Sequence, residues 1–229
     1  MSTPDLTKRN YPARLFERTS PATFYISSII HLFAVAGSFV LLLPGCSSVG
    51  GEVQAGRNAL QTNRPEAAVA YLASAAQVDP TYRIPYRVPA GVLGYLGRAY
   101  LETGRPAEAR RTLDKAVKID PQDPFVPLYL GVALMQTGKR DRGRKEIEAG
   151  LKGIHETLEH IASDNVSGIF WDPTRVIRSN IEKTLGGQLD DSQLEAAAVQ
   201  IGANFEQEID EARRDESLSR RGAADSSGN

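Results

Sequence analysis

The chain has 229 residues with 27 basic and 28 acidic side chains, so no charge excess marks it for nucleic acid, and no basic run of the phosphate-tracking kind occurs. A single cysteine rules out an internal disulfide framework. Alanine and glycine are plentiful and aromatics make up 7% of residues, a composition suited to closely packed helices and an all-α class.

The N-terminus comes first in chain order. Lys8, Arg9, Arg14 and Arg18 precede an apolar stretch over residues 24–43, which ends in Leu43-Pro44-Gly45-Cys46-Ser47. A basic head, an apolar run and a small residue before a cleavage point describe a secretory signal. With the lone cysteine directly after Gly45, the segment resembles a bacterial lipobox. That resemblance implies lipidation of Cys46, by palmitate among other acyl chains, and cleavage before it. Several acyl chains suffice for stable anchoring. Ser47 after the cysteine is similar to lipoproteins sent to the outer membrane, facing the periplasm. Pro44 stands where that pattern has a small or aliphatic residue. A predominantly apolar stretch of this length, residues 24–43, also suffices for an uncleaved single-pass anchor in the inner membrane. On either reading the rest of the chain lies outside the cytoplasmic membrane, since the positive charges stay inside.

Residues 90–121 predict two short amphipathic helices joined by a tight turn. Apolar residues recur at three- and four-residue spacings between Val92 and Tyr100. Gly104 tolerates the left-handed backbone that ends a helix. Pro106 suits the first turn of the next, and Asp120-Pro121 stops it. The pattern Leu93-x2-Leu96-Gly97-x2-Tyr100, Ala109-x3-Leu113-x2-Ala116, Pro121 resembles the tetratricopeptide repeat. A weaker copy follows 34 residues on, with Gly131, Gly138, Gly143, Ile147 and Gly150. A third lies 41 residues upstream of Gly97, with Gly56, Asn63, Ala68, Leu72 and Ala75. The repeats are assigned to 49–82, 90–123 and 124–157, within a repeat region 46–157. The insert 83–89, with two prolines and Tyr86, is expected to be an extended strap.

Beyond the repeats, Leu151, Ile154, Leu158 and Ile161 extend the last helix. Asp172 is expected to cap, and Pro173 to open, a helix ending at Gly186-Gly187. Ser192-x2-Glu195 predicts a capping box for a final helix carrying Leu194, Ala198, Ile201, Phe205 and Ile209. The stretch 158–216 is expected to cap the solenoid's exposed end, and the polar tail 217–229 to be disordered.

No catalytic constellation is visible, and no metal or cofactor is called for. The resemblance implies a scaffold that binds proteins on the concave face lined by the first helix of each repeat. By repeat geometry Arg57 and Arg98 are equivalent inner positions, replaced by Val132 in the last repeat. Val53, Leu128 and Met135 point the same way. These residues predict a groove for a peptide or helix bearing acidic and apolar residues. The partners implied are proteins of the cell envelope and, through the lipid, the membrane. The alternative is a small-ligand or metal-binding lipoprotein using region 155–171, where His155, Glu159 and Trp171 stand.

Overall fold

The computed structural model describes residues 48–88, 90–164 and 168–227. Among them are eight helices: α1 (Val49–Gln61), α2 (Pro65–Val78), α3 (Val92–Glu102), α4 (Pro106–Ile119), α5 (Phe125–Gln136), α6 (Arg140–Ala162), α7 (Val176–Gly186) and α8 (Asp191–Ser227). There is no β-strand among the described residues, and the architecture is an all-α repeat solenoid. The basic head, the apolar stretch and Cys46 lie outside the described residues. Among the described ones no helix is long and apolar enough to cross a membrane.

The first six helices pair into three antiparallel hairpins, and each turn is built the same way. The hydroxyls of Thr62, Thr103 and Thr137 donate to the carbonyl four residues back, at 2.7, 3.1 and 2.7 Å. The next residue, Asn63, Gly104 or Gly138, is left-handed, with φ of 53°, 68° and 82°. That reversal lets the following N–H reach back to Ala59, Tyr100 or Leu134 O, each at 2.8 Å. Inside each hairpin a glycine faces a large side chain. A Cβ on Gly56, Gly97 or Gly131 would lie 2.5 Å from Leu72, 2.4 Å from Leu113 or 2.6 Å from Ile147. The 41- and 34-residue offsets of the sequence are therefore packing offsets.

The weaker copy at 124–157 is not a degraded repeat. A Cβ on Gly150 would sit 2.5 Å from the Leu128 amide nitrogen, and one on Gly143 would sit 2.7 Å from the Gly131 carbonyl oxygen. Glycine replaces alanine there because α6 lies directly against the α5 backbone. The insert also differs from an open strap. Val92 donates to Tyr82 O and Ile84 donates to Ala90 O, both at 3.0 Å, so the segment closes into a loop. Asp123 pins its end to α5 by accepting the Gly91 and Phe125 N–H groups at 2.8 and 2.9 Å.

The C-terminal region departs from expectation in four places. α7 starts at Val176, not Pro173, because Asp172 is left-handed (φ 43°) and caps from a distance. Its carboxylate accepts the N–H groups of Ile177 and Arg178 at 3.0 and 3.1 Å. The capping box of α8 is Asp190-x2-Gln193 rather than Ser192-x2-Glu195: Gln193 N–H donates to the Asp190 carboxylate at 2.8 Å, and Asp190 N–H to the Gln193 amide oxygen at 3.1 Å. The tail expected to be disordered from Ser217 continues as helix to Ser227. Finally, α8 does not cap the open end. It touches α1 through Asp210, α3 through Glu206 and α5 through Phe205, so it lies along the inner face of all three repeats.

Gly97→Ala should destabilise the protein by about 1–3 kcal/mol, because Leu113 is fully buried and has nowhere to move. Gly153→Ala in α6 meets nothing within 4 Å and should instead stabilise by about 0.5–1 kcal/mol. Urea unfolding followed by circular dichroism reads both. Equal effects would show that close packing in the hairpins is not what the glycines serve.

Candidate functional site

The residues expected to line a partner groove are buried, and Arg57, Arg98 and Leu128 among them lie against one covering helix. Val53, Arg57, Leu128 and Val132 are at most 1% exposed, Met135 4% and Arg98 7%. The covering element is α8, whose Leu194, Ala198, Ile201, Phe205, Ile209 and Ala212 form one buried stripe. These recur at three and four residues, the signature of an amphipathic helix. Its seat needs a gap in α8: a Cβ on Gly202 would lie 2.6 Å from the Tyr129 hydroxyl and 3.0 Å from Leu128. Phe125 packs against Phe205 with ring centroids 5.3 Å apart.

Two ion pairs cross the same interface. Arg57 Nη2 meets the Asp210 carboxylate at 2.9 Å, and Gln61 Nε2 donates to the same oxygen at 2.6 Å. The Arg57 guanidinium also stands 5.2 Å from the Tyr95 ring centroid. Arg98 Nη1 meets Glu206 at 2.6 Å, while its Nε donates to Glu102 at 2.7 Å. The Tyr129 hydroxyl completes the site by donating to Glu206 at 3.2 Å. Burial works against the Arg98 cation, but Glu206, Tyr129 and Glu102 more than offset it and raise its pKa. Arg57 is raised in the same way, burial being outweighed by Tyr95, Asp210 and Glu206. Burial, and then the Glu206 charge, push the Tyr129 phenol well above its ordinary value.

Sequence reasoning identified the arginines but missed Glu206, Asp210, Phe125 and Tyr129. A signal for the last two was available. α5 (FVPLYLGVALMQ) has no polar face, and residues 128–135 are buried without a break. A helix apolar all round must be covered on every side. Its repeat neighbours cover only part of it, so another element must cover the rest.

In the alternative region the indole of Trp171 is taken up inside the fold. Trp171 is fully buried, its indole N–H donating to Glu216 at 3.2 Å and its ring stacked on Tyr86 at 5.9 Å. Burial and the neighbouring Glu216 push the Tyr86 phenol up to about 12. His155 lies 3.1 Å from Glu182, and Glu159 is held by Arg175 and Arg178 at 3.0 and 3.3 Å. Among the described residues no three His, Cys, Asp or Glu side chains converge as metal ligands would.

Residues 59–126 match the family model of the tetratricopeptide repeat, from the end of α1 into α5. That stretch is similar to tetratricopeptide repeats, and the three hairpins share its helix-pair architecture. No curated protein matches it. Tetratricopeptide repeats generally mediate protein–protein interactions. Here the inner face already holds an acidic, apolar helix, supplied by the chain itself.

Arg98→Met leaves the Glu206 carboxylate buried without its cation, and the loss of stability should be about 3–5 kcal/mol. Arg98→Met combined with Glu206→Met should recover part of that loss, because no uncompensated charge remains. A double-mutant cycle from urea unfolding measures the coupling, and strictly additive losses would mean that the pair does not act as a unit.

Proposed function

We propose that this protein is a membrane-anchored scaffold of the bacterial cell envelope that assembles partner proteins on its outer surfaces. The single observation behind recognition on the outer surfaces is the burial of the inner face beneath α8. Leu194, Ile201, Phe205 and Ile209 are each at most 3% exposed. At about 1.5–3 kcal/mol for each large side chain, their burial is worth about 6–12 kcal/mol. That is comparable to the whole stability of a typical domain, about 5–15 kcal/mol. Lifting α8 off would also strand Arg57 and Arg98 without Asp210 and Glu206. A partner of ordinary affinity therefore meets the protein elsewhere, and α8 is part of the fold rather than a stand-in for a ligand.

The anchor reading rests on the basic head, the apolar run 24–43 and the placement of Cys46 after Gly45. Lipid on Cys46 would tether the repeats at the outer membrane, facing the periplasm. An uncleaved span would tether them at the inner membrane instead.

Labelled palmitate should be incorporated into the full chain and not into Cys46→Ala. Absence of label from the unaltered chain, with the protein still in the membrane fraction, would replace the lipid by the uncleaved anchor. Crosslinking of the tagged full chain in membranes should recover discrete proteins that an unrelated tagged lipoprotein does not. Recovery of none would defeat the scaffold reading.

A further inference from the structure

The face opposite the inner groove carries a second surface, and it is open. A crevice of about 600 Å³ lies between α2 and α4, with α3 as its floor. Leu93, Leu96 and Tyr100 form that floor. At 100° per residue Leu96 and Tyr100 leave α3 about 160° away from Arg98, which faces α8. Ala76 and Ile119 make the walls, and Lys115 and Lys118 stand on the rim. The crevice sits at the repeat junction that carries the insert, with Pro80 in its lining.

Its rim carries an excess of positive charge. Arg111, Lys115 and Lys118 follow one another at i, i+4 and i+7, one stripe of α4. All three are exposed; Arg111 acts on Glu108 one turn back, whereas Lys115 and Lys118 form no ion pair among the described residues. Their neighbours behave otherwise: Arg105 pairs with Glu108 at 3.1 Å and Arg110 with Asp114 at 3.7 Å. Apolar surface is also left uncovered at the lip, where Ile119 is 42% exposed. An apolar floor beneath a basic rim is the chemistry of the inner face, where this chain resolves it with Phe205 and Ile209 beside Glu206 and Asp210.

We propose that this crevice is the docking site for a partner protein, which inserts a short segment with an apolar side chain flanked by carboxylates. The apolar side chain fills the floor, and the carboxylates meet Lys115 and Lys118. A concave apolar floor favours a peptide over a lipid surface, whose headgroups would use the lysines and leave Leu93 and Leu96 unfilled. The proposal rests on the scaffold reading and adds to it the location and chemistry of recognition.

Random short peptides displayed on phage are selected against the full chain in detergent micelles. Enriched peptides should carry at least two acidic residues around a large apolar one. Binding of the synthetic peptide should fall roughly tenfold or more for Lys115→Glu/Lys118→Glu. It should fall likewise when the peptide's apolar residue becomes serine, and change little for the charge-matched Lys145→Glu/Lys152→Glu on α6. Enrichment without acidic residues, or an equal loss in the α6 variant, would overturn the proposal. So would phosphatidylglycerol vesicles binding in a Lys115- and Lys118-dependent way with no peptide enriched. If crosslinked partners survive in Lys115→Glu/Lys118→Glu, the crevice is wrong and the scaffold stands; if the unaltered chain captures none, the scaffold itself fails.

Discussion

Two arginines projecting into a helical groove must meet carboxylates, because a buried guanidinium without a counter-charge costs several kcal/mol. Arg57 on α1 and Arg98 on α3 meet Asp210 and Glu206, one turn apart on α8. The apolar stripe of α8 supplies the stabilisation, and the ion pairs select where along the groove the helix rests. A slide of one turn in either direction would set Gly202 against Arg98 or Arg214 against Arg57. Both would leave a buried cation unmatched. Gly202 adds a steric condition to the electrostatic one, since only a residue without Cβ fits against the Tyr129 hydroxyl. Charge and shape therefore agree on one register.

The same contact explains why α5 can be apolar on every side. It packs against α3, α4 and α6 within the solenoid and against α8 across the groove. Val132 takes the place of the arginines there, so the inner face changes from charged to apolar along its length. α8 changes with it, bringing Asp210 and Glu206 to α1 and α3, and Phe205 and Ile201 toward the apolar end. Its far end is held by Glu216, which accepts from Trp171 and Arg87, each at 3.2 Å. With the inner face occupied, the surface available for recognition moves to the second helices of the hairpins, where the basic stripe of α4 borders uncovered apolar side chains.

Much of the repeat region was legible because its rules are local. Gly97 opposite Leu113, Gly104 in the left-handed turn and Pro106 at the start of α4 are decided by residues within one hairpin. The misreadings at the C-terminus also have local causes. Asp190 and Ser192 are both competent caps, and the choice fell to Asp190 because Gln193 can return a hydrogen bond to its N–H. Asp172 caps α7 from a left-handed conformation, so the helix begins after Pro173 rather than at it. The polar composition after Ser217 suggested disorder, but those residues continue a helix already anchored upstream at Glu216.

The sequence by itself determined the three hairpins, their offsets, the amphipathic stripe of the last helix and the basic and apolar chemistry of the inner face. Each follows from contacts a few residues apart, where helical periodicity and turn chemistry fix the geometry. Only the tertiary structure decided what fills that face. Arg57 and Asp210 are 153 residues apart, and they meet because stacking the hairpins sets α1, α3 and α5 side by side as one concave surface. That curvature belongs to the assembled repeats, so no spacing in the chain records that the groove's acidic, apolar occupant is the protein's own C-terminal helix.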